Sequence, residues 1–192
     1  MKSLHARVYS RQAVSKFANG FTLIELIVVI VILGVLAAIA LPKFLDEGAA
    51  ARAASINALA GSVNSSLALV NSLIIVKGSQ GTPSLTLANI TMLTQSDGTQ
   101  IRVWSGYPDR WCDGVGVTLQ GMVVPSGGCY GSAAAVPFGN FTFYGWGNTQ
   151  IPNGNAGWRI ENAPTPKQCS VEYVYNGTGV PIVNAYTTGC LQ

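Results

Sequence analysis

The sequence predicts an α+β fold: a long N-terminal α-helix, with a membrane-spanning half and an amphipathic half, packed on a four- or five-stranded antiparallel sheet. Three observations predict it. An apolar run covers residues 21–41, a helix-period stripe follows to about residue 76, and period-two apolar spacing begins near residue 100. Charged residues are only 10% of the 192-residue chain and the mean hydropathy is +0.34, which excludes a disordered polar chain.

The first twenty residues form a basic segment. They contain Lys2, Arg7, Arg11 and Lys16 and no acidic residue, whereas the rest of the chain has seven basic and eight acidic side chains. The net charge of +3 therefore belongs to residues 1–20. A basic segment before an apolar helix predicts a cytoplasmic N-terminus and an exported remainder.

Residues 21–41 (FTLIELIVVIVILGVLAAIAL) contain one charged side chain, Glu25. A helix of this length spans about 31 Å, the thickness of a bilayer core. Three interpretations are open: a secretory signal cut after Ala38-Ile39-Ala40, a plain signal anchor, or a cut between Gly20 and Phe21. Only the third explains Glu25, because it creates an α-amino group four residues away that could neutralise the carboxylate.

The helix is predicted to change character after Pro42. Apolar residues then recur at steps of three and four on one face, which indicates a core-facing amphipathic stripe; they are Ile56, Leu59, Val63, Leu67, Val70 and Ile74. Gly34 and Pro42 are predicted to weaken the helix locally, because glycine has low helix propensity and proline lacks a backbone donor. The predicted division is thus 1–20, 21–42 and a head of residues 43–192.

Strands are predicted in the second half of the head, after a Gly- and Pro-containing loop over residues 77–83. They cover residues 100–104, 141–146, 158–162, 170–175 and 181–186. Asn176-Gly177-Thr178-Gly179 predicts a hairpin turn between the last two. Residues 109–139 carry no assignment.

Four cysteines predict disulfide bonds in an exported chain: Cys112, Cys129, Cys169 and Cys190. Three pairings are possible, and pairing between sequence neighbours is favoured. A zinc site is disfavoured because no C-x-x-C spacing exists.

The sequence offers no catalytic constellation and no cofactor motif. The one histidine, His5, lies in the segment expected to be removed, so no histidine would remain as a base or metal ligand. Asp109 and Asp113 are read as a solvated loop pair rather than a cation site. We therefore expect no enzymatic activity, cofactor or metal.

The segment Gly20-Phe21-Thr22-Leu23-Ile24-Glu25-Leu26 resembles the processing motif of type IV prepilins and type II secretion pseudopilins. Ser105-Gly106-Tyr107-Pro108 and the segment from Cys169 to Cys190 resemble the mannose-sensitive haemagglutinin (MSHA) type of pilin. The resemblance implies the pilin fold, cleavage after Gly20 by a membrane peptidase, N-methylation of Phe21, and a role of Glu25 in assembly.

The resemblance also implies partners and locations. The subunit waits in the inner membrane, among lipid, and an ATPase-driven machine assembles it into an extracellular homopolymer used for adhesion, biofilm attachment or motility. An aromatic-rich stretch, residues 138–158, is read as sheet packing or subunit contact in preference to a sugar-binding face. A surface glycan stays a candidate partner.

Two alternative functions remain open. A type II secretion pseudopilin is disfavoured by the large head and the four cysteines. A DNA-uptake competence pilin is disfavoured by the near-neutral mature chain, which makes nucleic acid an improbable partner. A local basic patch would revive it, formed from Lys77, Arg102, Arg110, Arg159 and Lys167.

Overall fold

The computed structural model describes residues 21–77, 90–95, 97–126, 128–130 and 135–191. The chain divides into two compact units, Met1–Pro42 and Lys43–Gln192. Helix α1 covers Leu23–Lys77 and so contributes to both units. Each unit is described here by itself.

In the second unit, α1 buries one stripe of apolar side chains. Ile56 and Val63 are fully buried, and Leu59, Leu67 and Val70 are nearly so, which confirms the stripe that the sequence predicts. The other faces carry serines, several of which donate to the carbonyl oxygen four residues earlier; they are Ser55, Ser62, Ser65 and Ser72. These bonds satisfy the hydroxyl groups locally and leave the helix free to present its apolar stripe.

In the described part of the chain, eight strands form two antiparallel sheets. The three-stranded sheet has the order β1 (Ile90–Thr94), β2 (Gln100–Trp104) and β3 (Tyr107–Pro108). The five-stranded sheet has the order β4 (Ala135–Phe138), β5 (Phe141–Tyr144), β6 (Ala156–Arg159), β7 (Ser170–Val174) and β8 (Ile182–Tyr186). Together with α1 they give the predicted α+β architecture.

The inner face of the five-stranded sheet packs on α1. Register places Val136 beside Phe143, Phe143 beside Trp158, and Trp158 beside Val171, so these four side chains form one row across the sheet. All four lie in the same buried cluster as Ile56 and the rest of the helix stripe. Burial of one apolar stripe against one apolar sheet face is what holds the head together.

The outer face of the same sheet is organised by a buried carboxylate. Glu172 of β7 has no exposed surface and accepts four hydrogen bonds of 2.8–2.9 Å. The donors are the side chains of Asn153, Asn155, Asn184 and Tyr186. Burial alone would raise the pKa of Glu172, but these donors outweigh it and hold the pKa below its usual value.

Two tyrosines, Tyr173 in β7 and Tyr175 directly after it, join the five-stranded sheet to the three-stranded sheet. The Tyr173 hydroxyl donates to the Pro108 carbonyl at 2.6 Å, and the Tyr175 hydroxyl donates to the Trp104 carbonyl at 2.7 Å. Burial is the main cause that raises the pKa of Tyr175 to about 12, so it stays a donor at physiological pH. These bonds link residues that are 65 and 71 positions apart.

The predicted strands differ from the observed ones in detail. Residues 100–104 form a strand as predicted, but it belongs to the separate three-stranded sheet. The strand predicted at 141–146 is observed at Phe141–Tyr144, so it ends earlier than expected. The strand predicted at 158–162 is observed at Ala156–Arg159, so it both begins and ends earlier. Strands β1, β3 and β4 were not predicted. The local patterns of β1 and β3 are weak, and β4 contains Pro137, which usually interrupts a strand. Here the proline is tolerated because β4 is an edge strand.

The predicted turn at residues 176–179 does connect β7 and β8. Gly177 has a φ of +86°, and a Cβ atom there would lie 2.3 Å from the Trp104 ring. Glycine is therefore required both by the backbone conformation and by the close approach of the indole.

The cysteines pair as sequence neighbours, Cys112 with Cys129 and Cys169 with Cys190. All four are buried. The Arg52 guanidinium on α1 donates to the Cys190 carbonyl at 3.0 and 3.2 Å. The second disulfide therefore holds the segment around Cys190, and Arg52 links that segment to the helix.

We expect Glu172→Gln to lower the free energy of unfolding by about 1.5–3 kcal/mol at pH 7, because an amide NH₂ would face donors that now bind a carboxylate. Denaturant unfolding of the full chain in detergent micelles, followed by tryptophan fluorescence, measures this. The folded-state pKa of Glu172 lies below its usual value of 4.5. The ionised carboxylate therefore contributes to the free energy of unfolding above pH 4.5, and this contribution is lost as the pH falls below that value. The difference between wild type and variant should shrink over the same acid range.

Glu47→Gln, at an exposed position of α1, is the matched control and should be nearly neutral. A Glu172→Gln variant as stable as wild type at pH 7 would contradict the role given to this network.

Candidate functional site

The candidate site is the N-terminal end of α1, where the sequence predicts processing and assembly. Gly20 lies outside the described residues. Phe21 is 85% exposed and precedes the first helical residue, Leu23, by two positions. The peptide segment around a cut after Gly20 would therefore sit just before the helix begins.

Thr22 and Glu25 form a reciprocal cap at this helix end. The Thr22 backbone N–H and hydroxyl donate to Glu25 Oε2 at 2.9 and 2.8 Å, and the Glu25 N–H donates to Thr22 Oγ1 at 3.3 Å. This is a capping box, in which two helix N–H groups without intrahelical partners are satisfied by side chains. Glu25 thus serves the helix terminus, where the helix dipole favours a negative charge.

Sequence reasoning found Glu25 but missed Thr22. It treated the carboxylate as lacking a partner until an amine appears, whereas the structure gives it neutral donors three residues away. The signal was present, because Thr22-x-x-Glu25 before an apolar run is the capping-box pattern. Glu25 therefore has a structural role in the uncleaved chain, independent of any amine.

The apolar N-terminal part of α1 is not covered by other described residues of the chain. Leu23–Leu41 has a mean hydropathy of 3.1 and none of it is buried. A second stretch, Glu47–Val76, also has the length and composition to cross a membrane, with a mean hydropathy of 1.7, but a third of it is buried in the head. The first stretch is the one whose whole circumference still requires an apolar environment, which lipid or other helices can supply.

Helix α1 continues through Gly34 and Pro42. A Cβ atom at Gly34 would meet nothing within 4 Å, so the glycine is not required by contacts within the described chain. Proline still removes the donor that would bond four residues back. Local weakening of the helix at these two residues stays a prediction.

The acidic pair differs from the expectation of a solvated loop pair. Asp109 is buried, and its Oδ2 lies 3.8 Å from Arg102 Nη1; Asp113 Oδ2 lies 3.6 Å from Arg102 Nε and accepts a hydrogen bond from the Tyr130 hydroxyl. Burial is the main influence on Asp109 and raises its pKa. The pair flanks an arginine because β2 and the loop after β3 are adjacent, which the sequence spacing did not reveal.

Two of the five members of the basic patch that the sequence suggests are paired with acidic side chains. Arg102 is held by the two aspartates. Arg159 lies 2.7 Å from Glu161 and also donates to Gln150. Of the three arginines in the patch, Arg110 alone forms no salt bridge with the described acidic residues.

The aromatic stretch is mostly core, in agreement with the packing interpretation. Phe143 and Trp158 are fully buried and meet edge to face at 5.0 Å, and Tyr144 is nearly buried. Trp146 is the exception, with 44% of its surface exposed.

Within the described ranges, no group of three or more metal-ligating side chains occurs.

Comparison with known proteins agrees with this site. Residues 15–41 match the family described as the prokaryotic N-terminal methylation motif. A segment of 52 residues is 52% identical to the type IV narrow pilus major component PilA5 of Thermus thermophilus, and covers 27% of this chain and 45% of that relative. The chain thus spans less than half the length of the curated relative that it matches. No solved structure shows a significant match.

The fold and the site therefore define a pilin-like α+β protein with an N-terminal apolar helix. More particularly, the chain carries the N-methylation motif of prokaryotic type IV pilins and has a type IV pilin as a homologue.

We expect Glu25→Ala, but not Glu25→Gln, to loosen the start of α1, because glutamine can still accept from the Thr22 N–H. Amide hydrogen exchange of the full chain in detergent micelles reports this at Thr22 and Glu25. Exchange should accelerate several-fold in Glu25→Ala and stay near wild type in Glu25→Gln. Equal exchange in all three proteins would show that the capping box is not formed.

Proposed function

We propose that this chain is a structural subunit of a type IV pilus, cut after Gly20 by a prepilin peptidase, methylated on Phe21 and polymerised into a helical surface filament. The observation that carries the proposal is the fully unburied apolar stretch Leu23–Leu41 of α1, which lies within the residues that match the methylation motif. Before assembly, lipid surrounds this helix. In the filament, the same helices of neighbouring subunits replace lipid around one another.

Glu25 determines how neighbouring subunits are positioned when their helices replace lipid around one another. A cut before Phe21 leaves an α-amino group one residue from Thr22, whose N–H already bonds Glu25. Amine and carboxylate of neighbouring subunits can then neutralise each other in an apolar filament core, where an unpaired charge costs most. Such a pair would fix the axial stagger between subunits.

The remaining assignments follow the same proposal. The subunit waits as a single-pass inner-membrane protein with a cytoplasmic N-terminus, and an ATPase-driven machine moves it into an extracellular homopolymer. The subfamily is MSHA-like, and the filament serves adhesion, biofilm attachment or motility. The proposal assigns no catalytic residue, cofactor or metal to the chain, and Gly34 and Pro42 act as helix-weakening positions during assembly.

The pairing of two arginines with acidic side chains favours this function over DNA capture. Uptake of nucleic acid by backbone contacts requires several unpaired cations along one surface. Arg102 and Arg159 are already paired with carboxylates. The four cysteines in two disulfides continue to disfavour a pseudopilin.

N-terminal sequencing of filaments sheared from the cell surface tests the class directly. The expected first residue is methylated Phe21, because the cut releases residues 1–20. A start at Leu41 would instead indicate an ordinary secreted protein, and recovery of the chain only in the cell membrane fraction would contradict a surface filament.

Glu25 variants test the assembly mechanism. We expect Glu25→Ala and Glu25→Gln both to be cut after Gly20 and both to give less than about a tenth of the wild-type filaments, because each removes the charge. Glu25→Gln keeps the capping box, so its failure isolates the charge from the helix cap.

Glu47→Gln is the matched control, since it removes an exposed acid from the same helix, and it should form normal filaments. Filaments in normal amount from Glu25→Gln would overturn the pairing of carboxylate and amine while leaving the class of protein untouched.

A further inference from the structure

A cavity of about 320 Å³ lies at the outer face of the five-stranded sheet, where β7 ends and β8 begins. Its walls include Arg110, Trp146, Asn155, Asn176 and Thr178. This volume is at the lower end of the range for small-molecule sites. It is separate from the N-terminal site, and the proposed filament function assigns nothing to it.

Arg110 is held in an unusual way for a surface arginine. Its guanidinium carbon lies 3.8 Å from the centroid of the Trp146 ring and 5.2 Å from that of Trp104. Its Nε is buried and has no hydrogen-bond partner in the described part of the chain. Stacking occupies the faces of the guanidinium, whereas its N–H donors lie in the plane, where a carboxylate can bind through both oxygens.

The acids nearest in sequence do not neutralise Arg110. Asp109 accepts the backbone N–H of Arg110, but its other oxygen is directed to Arg102. Asp113 also faces Arg102. Among the described residues that line the cavity there is no acidic side chain, and Arg110 is the cation.

The other walls suit a molecule that is polar at its edges and apolar on one face. Asn155 donates its amide to Glu172, which leaves the Oδ1 acceptor available. Asn176 Oδ1 accepts from the Thr178 N–H and hydroxyl, which leaves the amide donors available. Trp146, 44% exposed, adds an apolar ring at the rim.

We propose that this cavity binds the carboxylated sugar of an acidic saccharide, a uronic acid unit at a chain end or within a chain. Arg110 binds the carboxylate, the two asparagines bind hydroxyl groups, and Trp146 contacts the apolar face of the ring. A nucleic acid fits less well, because a phosphate backbone calls for a row of cations and the cavity contains one.

Binding of the saccharide is a property of the head by itself. Its use in attachment to an acidic surface polysaccharide rests on the proposed pilus function. The two can fail separately, since Arg110 lies far from the N-terminal motif in the sequence and its variants should still give normal amounts of sheared filaments.

The test is calorimetric titration of the full chain in detergent micelles with trigalacturonate and with its methyl ester, in which each carboxylate is replaced by an uncharged ester group. We expect the acid to bind and the ester to bind at least about tenfold more weakly. Arg110→Gln should abolish the difference, and Arg110→Lys should lower affinity because it keeps the charge but loses the planar pair of donors. Lys167→Gln, at an exposed position outside the cavity, is the control for net charge and should bind as wild type.

Asn176→Asp keeps the acceptor that Thr178 uses but replaces the amide donors with a negative charge at the cavity, so it should weaken binding of the acid more strongly than binding of the ester. This variant lies in an exposed turn and keeps the proposal testable if Arg110 variants fail to fold. Equal affinity for acid and ester, no binding of trigalacturonate at millimolar concentration, or unchanged binding by Asn176→Asp would each overturn the proposal. Tighter binding of hexathymidylate or of a glutamate-containing peptide would replace it with a nucleic-acid or a protein ligand.

Discussion

The packing of one apolar helix stripe against one sheet face is the interaction on which the head depends. Ile56 and Val63 of α1 lie in the same buried cluster as Phe143 and Trp158 of the sheet. A stripe buries only one side of a helix, which is why the remaining positions of Glu47–Val76 can be serine, asparagine and alanine. The same helix begins with a stretch, Leu23–Leu41, that is apolar apart from Glu25 and of which none is buried. The two parts of this helix therefore suit different surroundings: the first requires an apolar environment on all sides, and the second requires it on one side only. A subunit that leaves lipid for a filament would need this difference.

Local periodicity explains how much of the fold could be predicted. The helix stripe and five of the eight described strands have patterns confined to a few residues, and the turn at Gly177 has its own glycine signal. The three-stranded sheet could not be predicted as a separate sheet, because its position depends on the bonds from Tyr173 to Pro108 and from Tyr175 to Trp104, which join distant segments. Strand β4 was hidden by Pro137, which reads as a breaker unless its edge position is known.

The candidate sites show the same limit. Glu25 could be found from the sequence because a lone charge in an apolar helix is conspicuous, and Thr22 could have been found from its spacing to Glu25. The burial of Asp109 against Arg102 and the stacking of Arg110 on Trp146 could not, since each joins side chains from different loops. Sequence reasoning treated the three arginines alike, as members of one basic patch. Their surroundings make them different: two are neutralised, and one keeps its donors for another molecule.

The outer sheet face connects stability with the proposed binding cavity through Asn155. This residue donates to the buried Glu172 and also lines the cavity beside Arg110. Asn153, from the same loop, bonds the same carboxylate oxygen, so the loop is fixed before any ligand arrives. A preformed wall lowers the entropic cost of binding, because the side chain does not have to be ordered by the ligand. A buried carboxylate with no cation beside it is expensive unless its hydrogen bonds are complete, so its four donors must stay in place together. The requirement that keeps Glu172 satisfied in the folded head therefore also fixes the wall of the cavity that Asn155 forms.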